Sequence, residues 1–313
     1  MVIFVAKRLL ATIPVMLVVA VIIFLLLFLT PGDPAIVLAG DHATVDDIAR
    51  IRTQLGLDQP IYLRFLIWLG QLGRGDLGMS IFSSIPVSQL ILQRAEPTVS
   101  LALATLTIAI PTAIFLGVVG AWKAGKWLDR AVMLFAVVGF STPIFVLGYC
   151  LIYLFAIELD LVPVQGFASI RQGVGPFVRS MILPAVTLAV IYVALLARIT
   201  RTSMLEVLHE DYVRTARAKG VSEIKVLLFH GLRNAAVPIV TMIGISTALL
   251  ISGSVVVESV YNLPGIGRLL IDAIVKRDYP VIQGVVLTFS FLYVVVNLLV
   301  DIAYAFLDPR IRY

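Results

Sequence analysis

Charge is what this 313-residue sequence has least of. Asp, Glu, Lys and Arg make up 14% of it and hydrophobic residues 60%, where a soluble domain carries about 25% and 45–50%. A globule of that composition would expose too much apolar surface to water. Secreted, disordered and nucleic-acid-binding classes are therefore excluded, and a mean hydropathy of +1.03 leaves a polytopic membrane protein. The single cysteine, Cys150, has no intrachain disulfide partner and no metal-ligand spacing, so it reads as a small packing residue in an apolar run. The three histidines, His42, His209 and His230, cannot form a His-Glu-x-x-His zinc site. With no Gly-x-Ser-x-Gly elbow either, a membrane hydrolase is excluded. Gly120 to Lys126 has the glycine and lysine spacing of a phosphate-binding loop. Trp127, however, stands where Ser or Thr must hold magnesium, and the segment joins two apolar stretches instead of a strand and a helix. It reads as a tight turn, its lysines and Trp122 and Trp127 at the membrane interface.

What the sequence has is long apolar runs. A helix crossing the hydrocarbon needs about 20 such residues. Six stretches qualify: Leu9 to Thr30, Thr98 to Ala121, Ala131 to Ile157, Met181 to Ala197, Ala236 to Val257 and Val281 to Phe306. Five contain proline (Pro14, Pro111, Pro143, Pro184, Pro238), which predicts kinked spans whose freed carbonyls are satisfied by neighbouring helices. The first run follows Lys7 and Arg8 and ends in Pro31-Gly32-Asp33-Pro34 without a small-x-small cleavage site, so it reads as a retained anchor. Charge bias sets the orientation. With both termini cytoplasmic, the inner segments hold Lys7, Arg8, Lys123, Lys126, Arg130, Arg198, Arg201, Arg214, Arg217, Lys219, Lys225, Arg233, Arg310 and Arg312, fourteen of the 24 basic residues. The two short outer loops hold only Arg171, Arg179, Arg268, Lys276 and Arg277.

The expected architecture is all-α: residues 1–30 with the first span, an extracytoplasmic segment 31–97, a core 98–306 with five more spans, and a cytoplasmic tail 307–313. Segment 31–97 reads as a small helical subdomain. Thr44-Val45-Asp46-Asp47 is a capping box, Ile48, Ile51 and Leu55 follow at helical spacing, and Gly56 sits at the C-cap. A second helix starts at Asp58-Gln59-Pro60, with Tyr62, Leu66 and Leu69 on one face, before the Gly73-Arg74-Gly75-Asp76 turn. Asn297 and Asp301 share a face of the last span. Asp301 is either a group on a transport pathway or an acid reaching the interface or an arginine. An ion-coupled carrier, the alternative from another class, would normally offer more acids inside its spans.

The loop from Arg198 to Asn234 carries half of the inner charge. Asp211 can cap a helix from Tyr212 to Lys219 that Gly220 ends in a left-handed conformation, and Ser222 can start another. Tyr212, Thr215, Ala216 and Lys219 fall on one face, small in the middle, which suits a groove on another protein. A solvated basic loop is the other reading of the same spacing.

At this loop the sequence resembles the permease subunits of binding-protein-dependent ATP-binding-cassette importers, in the dipeptide, oligopeptide, glutathione and nickel group. Asp211-Tyr212-Val213-Arg214-Thr215-Ala216-Arg217-Ala218-Lys219-Gly220, followed by His230-Gly231-Leu232-Arg233-Asn234-Ala235 and Pro238, looks like that group's signature loop. Further strings extend the likeness: Pro31 to Pro34, Leu55 to Pro60, Asn262-Leu263-Pro264-Gly265-Ile266-Gly267-Arg268, Arg277-Asp278-Tyr279-Pro280 and Asp308 to Arg312. The resemblance implies the type I importer permease fold in a bacterial inner membrane. It also implies a second, similar permease subunit, two cytoplasmic ATPase subunits that bind ATP and magnesium, and an extracytoplasmic solute-binding protein. Tyr212, Arg214, Thr215, Ala216, Arg217, Ala218, Lys219 and Gly220 would then couple to an ATPase subunit. Peptide-type solutes are the first expectation and nickel or a nickel chelate the second, since no cluster of histidines or acids suits a metal. No cofactor or metal is expected in this chain. Purified alone in lipid, the chain is expected to release no phosphate from ATP; release in a preparation free of ATPase subunits would return it to the enzyme classes excluded above.

Overall fold

The computed structural model describes every residue except 1, 30–33, 40–42, 55 and 308–313. Pro31, Gly32 and Asp33, His42, Leu55 and the Asp308 to Arg312 end lie outside the described residues. Thirteen α-helices are described: α1 (Val2–Leu29), α2 (Pro34–Ala39), α3 (Val45–Gln54), α4 (Ile61–Gly73), α5 (Val87–Trp122), α6 (Trp127–Ser141), α7 (Ile144–Leu151), α8 (Val174–Leu208), α9 (Asp211–Ala218), α10 (Glu223–Lys225), α11 (Ala236–Val260), α12 (Ile266–Lys276) and α13 (Tyr279–Leu307). α7 and α10 run on as π-helical turns over Ile152–Glu158 and Val226–Leu232. Four helices, α5, α8, α11 and α13, are long and apolar enough to cross a membrane, and α6 with α7 makes a bent fifth.

The chain forms two compact units, residues 1–96 with 265–294, and residues 97–264 with 295–313. In the first, the capping box forms as read: the Thr44 hydroxyl and amide both donate to Asp47, and the Asp47 amide donates back to Thr44 Oγ1. The Thr44 hydroxyl holds the Asp47 carboxyl below its ordinary range. Gly56 takes φ +63° and closes α3. α4 packs differently from the expectation. Phe65 and Trp68 turn to Phe24 of α1, ring centroids 5.2 and 5.6 Å away, while Tyr62 and Leu66 are exposed. The loop before α5 is fastened to the turn after α12. Buried Asp278 accepts from the Ser80 hydroxyl at 2.5 Å and from the Ile81 amide at 3.1 Å. Below that clasp Val87, Ile91, Ile266, Leu269, Ala273, Val281 and Val285 form a core.

In the second unit α8 is the hub. Of its most apolar 18-residue stretch, 72% is buried, against 22% for α5 and 28% for α11, so α8 is the helix the others surround. Small residues permit the approach, since lipid tails are as apolar as Leu and close packing has to drive association. A Cβ on Gly117 of α5 would stand 2.5 Å from Thr200 Cβ and 2.8 Å from the Ala197 carbonyl oxygen. One on Gly139 of α6 would meet Val190 and Ala194 at 3.2 and 3.3 Å.

Four expectations are corrected here. The third span is not one kinked helix but two, bent by 105° at Thr142-Pro143. Proline forces the preceding residue out of the α region, and Thr142 is extended, its hydroxyl bonded back to the Val138 carbonyl. The fourth span does not end at Ala197: α8 runs to Leu208, so Arg198 to Leu208 are helix, not loop. Of the other prolines, Pro14, Pro111 and Pro184 sit inside helices as read, whereas Pro238 lies in the first turn of α11, where its missing N–H costs nothing. Cys150 is exposed, not a packing residue. Gly117→Ala is expected to destabilise by about 1–3 kcal/mol, because the clash is with backbone as well as side chain. Gly70→Ala on α4, with nothing within 4 Å, is the control, and thermal unfolding of the two variants in detergent compares them.

Candidate functional site

α9 is short and polar, and its only aliphatic residues besides Ala218 are Val213 and Ala216, one turn apart. That pair decides which way the helix faces. Val213 is fully buried and Ala216 is 8% exposed, in a cluster with Met204 and Leu208 of α8 and Val226 and Leu227 of the π-turn. Ala216 therefore does not lie at the centre of an outward face, as its spacing from Tyr212, Thr215 and Lys219 suggested; it anchors α9 to the rest of the chain. The exposed side carries Arg214, Thr215 and Ala218, flanked by Tyr212, Arg217, Lys219 and Gly220. Burial raises the Tyr212 hydroxyl above its ordinary range, Glu210 adds to the shift, and a hydrogen bond with Asn234 opposes it.

The ends of α9 are fixed by short-range interactions. Asp211 is not the cap: Glu210 holds that position, and Asp211 lies in the first turn, where it pairs with Arg214 and suits the positive end of the helix. The Thr215 hydroxyl donates to the Asp211 carbonyl at 2.9 Å. Gly220 takes φ +80° as predicted, with its amide on the Arg217 carbonyl and the Val221 amide on that of Ala216. Across this turn the Arg217 guanidinium grips Glu223 through two bonds, 2.8 and 3.2 Å. Ser222 precedes α10 as read. At Gly231 a Cβ would stand 2.7 Å from Met204 Cε, so the returning π-turn lies tight on α8.

Two buried acids of this unit escaped the sequence reading. Asp129, in the first turn of α6, is 5% exposed. It accepts from both Nε and Nη2 of Arg201 on α8, the latter at 2.8 Å, and from the Gly125 amide at 2.9 Å. The Gly120 to Lys126 segment is thus a helix end and a turn, with Gly125 at φ +75° and the Lys123 ammonium 3.4 Å over the Trp122 ring. Arg201 stands two turns before the end of α8, so turn, hub helix and α9 are tied together. The second acid, Glu258 on α11, is fully buried and accepts from the Thr98 hydroxyl at 2.6 Å. Nearby, Tyr261 precedes φ-positive Asn262 and is anchored by its hydroxyl, 2.7 Å from Thr187 Oγ1 and 3.3 Å from the Gly148 carbonyl. Asn297 and Asp301 lie half-buried on α13, apart from α9 in the chain, and Asp301 is engaged by its surroundings.

Long apolar helices around α8, ending in a polar helix-turn-helix packed on Met204 and Leu208, define a helical membrane protein. Residues 109–313 match the family described as "Binding-protein-dependent transport system inner membrane component", and residues 1–102 match its N-terminal companion. The chain is 53% identical over 311 residues, 99% of both chains, to a Sinorhizobium fredii protein named "Probable peptide ABC transporter permease protein". It is 46% identical over 310 residues, again 99% of both, to the glutathione transport system permease protein of Salmonella choleraesuis. Its fold is similar to a chain of the MetNI methionine ABC transporter in an inward-facing conformation: TM-score 0.57 at 16% identity, over 71% of this chain and 97% of that one. The chain belongs to the inner-membrane components of binding-protein-dependent transport systems. It is a multi-pass inner-membrane protein. Asp129→Ala is expected to cost about 3 kcal/mol, because it leaves the Arg201 guanidinium half-buried without its carboxylate. Arg201→Leu added to it should restore part of that loss, a double-mutant cycle read by thermal unfolding.

Proposed function

We infer that this chain forms one half of the translocation pathway of an importer for peptide-type solutes, dipeptides, oligopeptides or glutathione, and takes its energy from ATPase subunits through α9. The observation that carries the reading is the construction of α9: a helix anchored by Val213 and Ala216, closed by Gly220, and presenting Arg214, Thr215 and Ala218 outward. Full-length likeness to permeases named for peptide and glutathione transport supports the substrate class. The assembly is completed by a second permease subunit, two ATPase subunits that bind ATP and magnesium, and a solute-binding protein. The membrane region has six spans with α1 as the first, both termini and α9 are cytoplasmic, and segment 31–97 is a subdomain on the opposite side.

In this reading α9 seats in a cleft of one ATPase subunit, with Arg214, Thr215 and Ala218 at the contact, Tyr212, Lys219 and Gly220 at its edge, and Arg217 bracing it through Glu223. When the ATPase pair closes on ATP, the seated helix moves. Val213 and Ala216 pass that displacement to α8, and the Asp129–Arg201 pair carries the α5–α6 turn with it. Driving such a switch from 1:99 to 99:1 takes about 5.5 kcal/mol of differential binding, which ATP binding to the partner supplies.

Two variants separate the contact from the anchor. Thr215→Trp adds bulk on the exposed side of α9 and should leave insertion and thermal stability unchanged while abolishing recovery of the ATPase subunits in pull-down and solute uptake. Ala216→Asp buries a carboxylate in the Met204 cluster and should lower the stability of the chain itself. Full uptake and full ATPase recovery with Thr215→Trp would overturn the assignment and leave α9 a solvated helix.

A further inference from the structure

The turn between α5 and α6 with the start of α6, residues 123–130, holds the cations Lys123, Lys126 and Arg130 and one acid, Asp129. That acid is already engaged. Both of its oxygens accept from Arg201, and one also takes the Gly125 amide. Among the described residues none of the three cations makes an ion pair with a carboxylate. The Lys123 ammonium lies over the Trp122 ring, and Lys126 and Arg130 are exposed one turn apart. The turn thus offers positive charge for which the chain supplies no counter-ion, and an anion is what would complete it.

Its level in the membrane follows from the spans it joins. Trp122 is the last residue of α5, Trp127 the first of α6, and both are exposed. Tryptophan at the end of an apolar span sits at the headgroup layer. Beyond Trp127, α6 has two unlike sides. Asp129, Val132, Ala136 and Gly139 are buried, Gly139 against Val190 and Ala194 of α8. Arg130, Ala131, Leu134, Val137 and Val138 form the exposed side at helical spacing. Helices associate in lipid through small residues at the contact. Ala136 and Gly139 lie on the buried side, while the bulk of the exposed side is Leu134, Val137 and Val138, a surface suited to lipid tails. Cations, two aromatic rings and an apolar strip therefore follow one another from the turn into the bilayer, in the order of the parts of a charged amphiphile. We propose that the α5–α6 turn binds an anionic phospholipid, its phosphate between Lys126 and Arg130 and an acyl chain along Leu134 and Val138.

The test uses the full chain reconstituted in phosphatidylcholine, with Trp68→Phe leaving Trp122 and Trp127 as the fluorescent reporters. Phosphatidylglycerol or phosphatidylcholine with brominated acyl chains, added at equal mole fractions, quenches them on contact, and the two quenching curves give a relative affinity. Phosphatidylglycerol is expected to be preferred by about fivefold for each cation engaged. Lys126→Gln alone should lower that ratio, and Lys126→Gln with Arg130→Gln should bring it close to one. Quenching by brominated phosphatidylcholine should persist in both variants, which reports that the turn still lies at the membrane boundary. Lys276→Gln, a cation removed from α12, should leave the ratio unchanged. A ratio near one before any cation is removed, or a ratio that both variants preserve, would overturn the proposal. So would a benzophenone side chain in place of Leu134 that crosslinks, in native membranes, to a second protein subunit instead of to lipid.

Discussion

The 35-residue helix α8 carries no charged side chain between Arg179 and Arg198, and most of that stretch is covered by its own chain. Everything in the second unit depends on this packing. Hydrophobic burial cannot order helices against one another in lipid, so contact has to come from shape, and shape comes from Gly117, Gly139 and the alanines of α8 that they face. Once α8 is enclosed, its far end is a fixed post. Met204 and Leu208 at that post form the floor on which α9 and the π-turn settle, and Arg201 offers the guanidinium around which the α5–α6 turn closes.

Features written in consecutive residues were legible in the sequence. The Thr44/Asp47 box, the left-handed Gly56 and Gly220 and the end of the α5 helix before Lys123 all appear as read, because each rests on interactions within a few positions. What the sequence hid falls into two kinds. Pairs such as Asp129–Arg201, Thr98–Glu258 and Ser80–Asp278 join residues 72, 160 and 198 positions apart, and nothing local marks either partner. The direction of a helix face was the other. Along apolar spans every side is hydrophobic, so periodicity gives no bearing, and in α4 the aromatic residues outweighed the leucines in choosing the side that packs on Phe24. In α9 the clue was present but misread: a lone valine and alanine one turn apart in a polar helix mark the inward side.

The same geometry gives the 209–234 segment a division of labour between residues next to each other in sequence. Ala216 and Val213 serve the chain's own packing, and Thr215 and Arg214 face away from it. A small residue between charged ones in such a helix is therefore no guide by itself to a contact with another protein. The two-bond Arg217–Glu223 pair across the glycine turn keeps these roles apart, since it fixes the rotation of α9 relative to the π-turn beneath it.

The break at Thr142-Pro143 bears on how the protein is made. Each arm of the third span, fifteen residues in α6 and a similar length in α7 with its π-turn, is shorter than the roughly 20 residues a bilayer asks of a lone helix. The backbone carbonyls freed at the bend need partners that lipid does not provide. At Val138 the Thr142 hydroxyl and amide supply them from the bend itself, but the Val190 and Ala194 surface that receives Gly139 belongs to α8, which emerges from the ribosome afterwards. Span three is thus a segment that hydrophobicity alone does not commit to the bilayer. The packed form of the bend is complete only when α8 is present, since Gly139 has no surface to enter without it.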